Sequence, residues 1–294
     1  MLWCFGLATM TVGQKLEELI ARFTRAGIPN PKVDAEWLLE DTLGWSRTRR
    51  VLEAEFLLKP KDLEQLESWA VRREAREPLQ WILGSTGFYG LNLQVRSGVL
   101  IPRPETERLV ELALERLRVM PGSPRVLDLG CGTGAIALCI KSELSRAQVL
   151  ASDINPEAIQ LTLENASRLG LEIEVIETSL FDGIEGRFDL IVSNPPYLPE
   201  LDAEDLEPEV QREPASALFS GHDGLDLART LVKTARERLG PSGWLLLELD
   251  PRNAPTMRQE LEDAGWRARL ESDLAGRERF VLARRKARFI GLNS

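Results

Sequence analysis

From residue 101 to the end, the chain alternates between helix-like segments and short, apolar, strand-like segments. Such alternation is typical of a doubly wound α/β sheet, in which helices cover both faces of mostly parallel strands. Asp-Leu-Ala-Gly at 273–276 forms a hairpin-like connection between the last two strand-like segments, so we expect an antiparallel strand at the sheet edge. The predicted strands are 125–129, 148–152, 172–176, 188–193, 244–249, 266–271 and 277–284. Two predicted helices begin near residues 104 and 135, and three more span 156–169, 225–239 and 254–264.

The segment 188–197, Phe-Asp-Leu-Ile-Val-Ser-Asn-Pro-Pro-Tyr, is an apolar strand that runs directly into two prolines. The prolines end the strand because neither can donate a ladder hydrogen bond. Each proline also holds the residue before it extended. We therefore expect the Asn194 side chain and the Pro195 carbonyl to point outward at the carboxyl end of the strand, where open α/β sheets bind ligands.

Such a strand end suits chemistry on an amide-type nitrogen, which is a poor nucleophile because its lone pair is delocalised. Acceptors from Asn194 and Pro195, placed against the two N–H bonds, would orient the lone pair outward and stabilise the positive charge that develops during alkylation. A tyrosine ring would offer a flat face for stacking. An ordinary strand with a proline-rich turn has the same local pattern. The candidate catalytic and substrate-binding residues are Asn194, Pro195, Pro196 and Tyr197.

A glycine-rich loop follows the predicted strand 125–129 and reads Gly-Cys-Gly-Thr-Gly. Its G-x-G-x-G spacing differs from the dinucleotide fingerprint and suits a ligand that needs close backbone approach but carries no pyrophosphate. A second strand ends at Asp153, where a carboxylate would accept hydrogen bonds from a ribose diol. Together these elements predict an S-adenosylmethionine pocket, and the candidate residues are Asp128, Gly130, Cys131, Gly132, Thr133, Gly134, Asp153 and Asn194.

Further blocks extend the pattern beyond this core. They are Glu-Pro-Leu-Gln-Trp-Ile-Leu-Gly at 77–84, Phe-Tyr-Gly at 88–90, Ile-Pro-Arg-Pro-Glu-Thr-Glu at 101–107, Glu-Pro at 213–214 and Gly-His-Asp-Gly-Leu at 221–225. With these blocks, most of the chain resembles the HemK-type (PrmC-like) peptide-chain release factor glutamine methyltransferases. The glycine loop and Asn-Pro-Pro-Tyr are shared widely among methyltransferases, whereas the blocks at 101–107 and 221–225 are far more specific to this family.

The resemblance implies a seven-stranded, Rossmann-like class I methyltransferase sheet with a small N-terminal helical bundle. It implies methyl transfer from S-adenosylmethionine to the side-chain amide nitrogen of the glutamine in the Gly-Gly-Gln motif of release factors. It also implies that Leu180 and Phe181 contact the adenine. The resemblance places the block 101–107 beside the cofactor and assigns no role to Arg103, Glu105 or Glu107. Favourable charge at a helix N-terminus accounts for the two glutamates at least as well.

Residues 10–76 carry apolar stripes at helical spacing and predict a small helical bundle, and alternating apolar residues predict a β-hairpin linker at 77–100. The methyltransferase domain is then 101–294. The resemblance implies that the bundle recognises the protein substrate, whereas a stabilising cap fits the same pattern. Residues 1–9 lack a positively charged leader, so we expect an extension before an alternative start at Met10 rather than a signal peptide.

The overall charge and the cysteines limit the environment and the partners. The net charge is −9, which argues against a basic nucleic-acid surface. Three cysteines without a C-x-x-C pair indicate a reducing compartment and no zinc site. We expect a cytoplasmic monomer that binds release factors, holds no metal, spans no membrane and forms no stable nucleic-acid complex.

Two other functions fit part of the pattern. An adenine or cytosine amino-methyltransferase of DNA or RNA shares Asn-Pro-Pro-Tyr, and it would need a basic cleft and a way to extrude the base. A non-catalytic S-adenosylmethionine-binding scaffold would have no evident need of all four residues 194–197. His222, the only histidine, needs no catalytic role. The acidic segment 197–215 is either a solvated loop or a lid over the site.

Overall fold

The computed structural model describes residues 10–285 and divides into two compact units. The first unit comprises the chain up to Gly84 together with residues 207–212, and the second comprises residues 85–206 and the chain from Glu213 onward. The predicted extension at 1–9 lies outside the described residues, as do the last residues of the predicted methyltransferase domain, 286–294. No helix within the described range combines the length and the apolar character needed to cross a membrane.

The first unit is helical and confirms the predicted bundle. Its first helix begins at a capping box, in which the side chains of Thr11 and Gln14 each accept a hydrogen bond from the backbone N–H of the other residue. The largest residues of its core, among them Phe23 and Leu66, are fully buried. The helices are α1 (Val12–Arg25), α2 (Pro31–Leu43), α3 (Arg47–Leu52), α4 (Pro60–Glu74) and α5 (Leu79–Leu83).

The last of these helices lies inside the segment that predicted a hairpin. Leu79 and Ile82, three residues apart, are both buried in the helical core, and this spacing favours a helical turn. The hairpin itself is shorter than 77–100 and consists of the antiparallel strands β1 (Ser85–Phe88) and β2 (Leu91–Gln94). The division of the chain at Gly84 falls within the predicted linker.

A cluster of charges incorporates residues 207–212 into the helical unit. Glu209 accepts hydrogen bonds of 2.7 Å from Arg73 and of 2.7 and 2.6 Å from Arg76. Arg73 is buried and also donates to Asp34 at 2.7 Å. Burial raises the pKa of Glu209, but the hydrogen bonds from Arg76 and Arg73 outweigh it and lower the pKa to about 2. Glu209 is therefore charged in the folded protein at neutral pH.

The second unit is built on the predicted seven-stranded sheet, and its strands lie in the order β5-β4-β3-β6-β7-β9-β8. The first five strands in this order are parallel, and β9 runs antiparallel to both of its neighbours. The closing pair therefore supplies the antiparallel edge that the short connection predicted. The strands are β3 (Arg125–Leu129), β4 (Gln148–Asp153), β5 (Glu174–Glu177), β6 (Phe188–Ser193), β7 (Leu239–Glu248), β8 (Trp266–Ser272) and β9 (Glu278–Arg285).

Helices cover the sheet, and two buried apolar clusters contain the residues of its central strands. Along β6, Leu190 and Val192 belong to one cluster and Ile191 belongs to the other. Burial on both faces explains why this strand is a continuous apolar run. The helices are α6 (Thr106–Leu117), α7 (Ala135–Glu143), α8 (Pro156–Leu169), α9 (Ala215–Leu218), α10 (Asp226–Arg238) and α11 (Ala254–Asp263).

We expect Glu209→Gln to lower the thermal unfolding midpoint at neutral pH, because Arg73 and Arg76 lose their charged partner. The folded-state pKa is depressed, so the stabilisation is present above the ordinary glutamate value and is lost as the pH falls toward about 2. The difference between variant and wild type should therefore shrink on acidification. Glu64→Gln, at an exposed position of α4, is the matched control. Equal midpoints for wild type and Glu209→Gln at neutral pH would contradict this account.

Candidate active site

The candidate site lies at the carboxyl ends of β3, β4 and β6. The strand order reverses at β3, because β4 and β5 lie on one side of it and β6 on the other. Ligands of open α/β sheets bind at such a switch point. A cavity opens there, and residues that follow each of these three strands line it, among them Gly130, Asp153 and Asn194.

The glycine loop joins β3 to α7 in a conformation that favours glycine. Gly130, Gly132 and Gly134 have φ values of 74°, 56° and 81°. Gly130 also donates a 2.8 Å hydrogen bond to the carbonyl of Ser152, which holds the loop against β4. Gly130, Cys131, Gly132 and Thr133 line the cavity, whereas Gly134 does not. A Cβ at Gly134 would lie 2.9 Å from the side chain of Thr162, so packing accounts for this glycine.

Asp153 lies at the end of β4 and lines the cavity, as predicted for a ribose-binding carboxylate. Its Oδ2 accepts a 2.9 Å hydrogen bond from the backbone of Gly132, and its Oδ1 accepts one of 2.9 Å from Asn155. These bonds fix the carboxylate and leave further lone pairs for a ligand, because each carboxylate oxygen accepts more than one bond. These acceptor oxygens therefore fit a ribose diol, whose hydroxyls donate.

Asp128 was predicted to bind the cofactor, but its side chain is buried and does not line the cavity. Its Oδ2 accepts a 3.0 Å hydrogen bond from the backbone of Ala137, in the first turn of α7, and burial raises its pKa to about 7. This contact holds the helix that follows the glycine loop. A direct contact of Asp128 with the cofactor stays a prediction.

The two residues predicted to contact the adenine have different positions. Leu180 lines the cavity, whereas Phe181 is buried in an apolar cluster of the sheet. Leu180 has a φ of 51°, a left-handed conformation that is uncommon for leucine. Leu180 and Phe181 therefore do not follow the side-chain alternation of a regular strand. The structure thus offers Leu180 as the apolar contact on this side of the cavity.

Asn194, Pro195 and Pro196 all line the cavity. The side-chain nitrogen of Asn194 donates a 3.1 Å hydrogen bond to the hydroxyl of Thr106, the first residue of α6. Its side-chain oxygen is buried and has no hydrogen-bond partner among residues 10–285. A buried acceptor without a partner is costly, so this atom is suited to accept a hydrogen bond from a bound group.

Tyr197 does not line the cavity, in contrast to its predicted neighbours. Its side chain packs against an apolar cluster of the sheet, and burial raises its pKa. Its carbonyl accepts a 2.9 Å hydrogen bond from Asn253, and a Cβ at Gly224 would lie 2.1 Å from that carbonyl oxygen. Gly224 is therefore required for this close backbone approach. The stacking role predicted for Tyr197 stays a prediction.

Comparison with known proteins agrees with this geometry. Residues 14–84 match the PrmC N-terminal domain, and residues 109–222 match the methyltransferase small domain. The release factor glutamine methyltransferase of Deinococcus radiodurans is 50% identical over 276 residues, which cover 94% of this chain and 99% of that protein. The chain belongs to the release factor glutamine methyltransferase family. The family member from Geobacter sulfurreducens is 42% identical and covers 84% of this chain and 87% of its own length.

A solved structure supports the fold of this family member. The T. thermophilus 16S rRNA N2 G1207 methyltransferase, in complex with AdoMet and guanosine, aligns with a TM-score of 0.51 at 20% identity. The alignment covers 69% of this chain and 50% of that chain. At this identity the likeness concerns the fold.

The structure explains a family-specific block whose role the sequence did not assign. Glu213 is buried, and its carboxylate accepts hydrogen bonds from the backbone of Ile101 at 3.1 Å and from Arg103 at 2.5 Å. It therefore fastens the segment before α6 to the segment that begins at Pro214, and both segments line the cavity. The blocks at 101–107 and 213–214 were visible as motifs, but their pairing was not.

The same block also anchors the hairpin. Glu107 accepts a 2.8 Å hydrogen bond from the backbone of Tyr89, which has a φ of 47° in the turn between β1 and β2. Glu105 is partly exposed and lies 3.6 Å from Arg277. Neither glutamate lines the cavity, whereas Arg103 does.

We predict that Asp153→Ala weakens the binding of S-adenosylmethionine by roughly 1.5–3 kcal/mol, as expected for lost hydrogen bonds to a charged group. Titration calorimetry measures this change directly. Glu177→Ala is the matched control, because this exposed glutamate ends the neighbouring strand β5 and does not line the cavity. Unchanged affinity in Asp153→Ala would show that the carboxylate does not bind the ribose.

Proposed function

We propose that this chain transfers a methyl group from S-adenosylmethionine to the side-chain amide nitrogen of the glutamine in the Gly-Gly-Gln motif of peptide-chain release factors. It is an S-adenosylmethionine-dependent protein glutamine methyltransferase. Relatives of this name align with nearly the whole chain, up to 50% identity. The structural observation that carries the proposal is the buried side-chain oxygen of Asn194, a residue that lines the cavity and whose oxygen has no hydrogen-bond partner in the described part of the chain.

The residues of the cavity fit this cofactor. Asp153 accepts hydrogen bonds from the ribose, the backbone of the loop 130–133 allows close approach, and Leu180 gives the adenine an apolar contact. When bound, S-adenosylmethionine supplies an electrophilic methyl group on a sulfonium. We also assign Asp128, Gly134 and Phe181 to this site. These three residues do not line the cavity, and they contribute by holding its loops in place.

The residues that follow β6 orient the substrate amide. The oxygen of Asn194 accepts one N–H bond of the glutamine, and the backbone oxygen of Pro195 accepts the other. These two bonds direct the nitrogen lone pair toward the methyl group and stabilise the positive charge that develops on nitrogen. The N–C bond would form as the S–C bond breaks, which leaves S-adenosylhomocysteine, and the strongly acidic alkylated amide would then lose its proton to water. Pro196 and Tyr197 hold this strand end in place.

We assign recognition of the release factor to the helical unit, and we propose domain bounds of 10–76 for the recognition domain, 77–100 for the linker and 101–294 for the methyltransferase domain. Exposed large apolar side chains support the assignment, because such residues mark protein interaction sites when they cluster. Among residues 10–285, seven of the twelve exposed large apolar residues lie in this unit, namely Val33, Trp37, Val51, Leu52, Phe56, Leu57 and Val71.

We further propose that the protein acts as a monomer in the cytoplasm and forms no stable complex with nucleic acid. The net charge of −9 supports the last point, since nucleic-acid binding draws on exposed Lys and Arg. Arg103, the arginine that lines the cavity, is already paired with Glu213. The buried cysteines 131 and 139 are free thiols, in keeping with a reducing compartment.

We expect Asn194→Ala to lower kcat by on the order of 100-fold or more and to leave the affinity for S-adenosylmethionine nearly unchanged, because the oxygen acts on the substrate amide. Transfer of labelled methyl groups to a purified release factor measures turnover, and calorimetry measures cofactor binding. Duplex DNA and rRNA are parallel acceptors that should remain unlabelled. Near-normal turnover of Asn194→Ala would contradict the proposed mechanism, and labelling of nucleic acid alone would favour an amino-methyltransferase of DNA or RNA.

A surface variant of the helical unit tests substrate recognition. The double variant Trp37→Ser and Leu52→Ser should raise KM for the intact release factor about 10-fold or more, since each buried apolar contact contributes roughly 1.5–3 kcal/mol. Cofactor affinity and the unfolding midpoint should stay at wild-type values. Val119→Ser is the control, because this valine is 83% exposed in the other unit. An unchanged KM would leave the helical unit as a stabilising cap.

A further inference from the structure

A row of buried polar side chains extends from Asn194 into the protein. Thr106, the acceptor of the Asn194 side-chain nitrogen at 3.1 Å, is itself 4% exposed at the start of α6. Glu248 is the last residue of β7 and is fully buried. Ser193 pairs with Leu247 in the parallel ladder of β6 and β7, so Asn194 and Glu248 occupy equivalent positions at the ends of adjacent strands.

The carboxylate of Glu248 has no role in the methyl-transfer chemistry described above, yet it is buried at high cost. Among the residues described, neither of its oxygens reaches regular hydrogen-bond geometry, and its ion-pair contact with Arg279 is long, at 3.9 Å. Burial raises its pKa to about 7, and the nearby Thr106 hydroxyl and Arg279 partly oppose that rise. A buried carboxylate with so few partners is destabilising. Its retention beside the site calls for a functional explanation.

Hydrogen-bond chemistry supplies one. A threonine hydroxyl has a single proton, so when its oxygen accepts a bond from Asn194 the proton is free for another acceptor. An ionised Glu248 only accepts, and the Thr106 hydroxyl is near enough to lower the pKa of this carboxyl. With the proton of Thr106 directed to Glu248, the oxygen of Thr106 presents lone pairs to Asn194. These lone pairs accept a hydrogen bond from the side-chain N–H of Asn194 and repel its side-chain oxygen.

We propose that Thr106 and Glu248 are positioning residues that hold the Asn194 carboxamide in the one orientation that leaves its oxygen free for the substrate amide. In the flipped orientation, Asn194 would present N–H bonds to the N–H bonds of the glutamine. The inference rests on the proposed function and deepens it, because it explains how a side-chain amide with two similar ends acts only as an acceptor.

The main test compares two variants at one position. Thr106→Val keeps the shape of the side chain and removes the hydroxyl, so kcat should fall about 10- to 100-fold while KM and S-adenosylmethionine affinity change little. Thr106→Ser keeps the hydroxyl and should restore most of the turnover. A purely structural role would instead follow side-chain volume and favour valine. Thr106→Ala carries the same expectation as the valine variant if the latter unfolds.

A double-variant cycle shows whether Thr106 acts through Asn194. In the Asn194→Ala background, Thr106→Val should cause little further loss of single-turnover rate, since the group that it positions is gone. If the rate losses of the two single variants multiply in the double variant, the proposal is overturned. If the wild type labels no release factor, the proposed function itself fails. If the wild type labels it and Thr106→Val is equally fast, only the positioning proposal fails.

The pH profile tests the role of Glu248. A protonated Glu248 donates a hydrogen bond to Thr106 and so reverses the direction of the hydrogen bonds between Glu248, Thr106 and Asn194. Wild-type turnover should therefore fall as the pH drops below about 7. Glu248→Gln keeps one acceptor oxygen but cannot titrate, so it should lack this step. The charged and titratable groups that face Glu248 are Arg279 on β9, Glu105 and Arg103 ahead of α6, and Tyr197 after β6. A wild-type step that persists in Glu248→Gln would belong to another group and would contradict the role of Glu248.

Discussion

The parallel pairing of β3 with β6 in the middle of the sheet is the interaction on which the site depends. Their register places Leu129 opposite Ser193, so the glycine loop and Asn194 leave the sheet side by side. Apolar residues bury both faces of β6 and hold this register. The glycine loop, which we propose binds the cofactor, and Asn194, which we propose orients the substrate amide, are thus adjacent because two strands, distant in sequence, share one ladder.

Buried or partly buried carboxylates then fix the loops at the edge of the sheet. Asp153 binds the glycine loop, Asp128 binds the start of α7, and Glu213 binds the segment before α6. In each case the acceptor oxygens take backbone N–H groups that would otherwise lack partners. Positions of loops are therefore set by a few specific hydrogen bonds, while the sheet beneath is held by apolar packing.

The sequence predicted what short-range patterns encode. Apolar periodicity predicted the helix 156–169 with the observed bounds, the short connection at 273–276 predicted the antiparallel closing strands, and the G-x-G-x-G spacing predicted the loop before α7. Long-range pairings were not predictable, since Glu213 meets Ile101 across 112 positions and Asn194 meets Thr106 across 88. Nothing in local spacing specifies which distant group satisfies a buried polar atom.

The sequence pattern also did not predict which way the side chains of loop residues point. Leu180 and Phe181 are adjacent and both apolar, yet only Leu180 lines the cavity, because its left-handed backbone breaks any regular alternation. Tyr197 follows three cavity-lining residues but packs into the sheet, where Asn253 donates to its carbonyl and Gly224 leaves room for that carbonyl. Such orientations depend on tertiary contacts rather than on the residue type.

The most direct measurement of the central claim is a crystal structure of the protein with S-adenosylhomocysteine and a release factor. The account predicts that the glutamine side-chain nitrogen lies within hydrogen-bond distance of the Asn194 side-chain oxygen and of the Pro195 backbone oxygen, while the Asn194 side-chain nitrogen stays bound to Thr106. A glutamine nitrogen held by other groups, or an Asn194 carboxamide turned with its nitrogen toward the substrate, would contradict it.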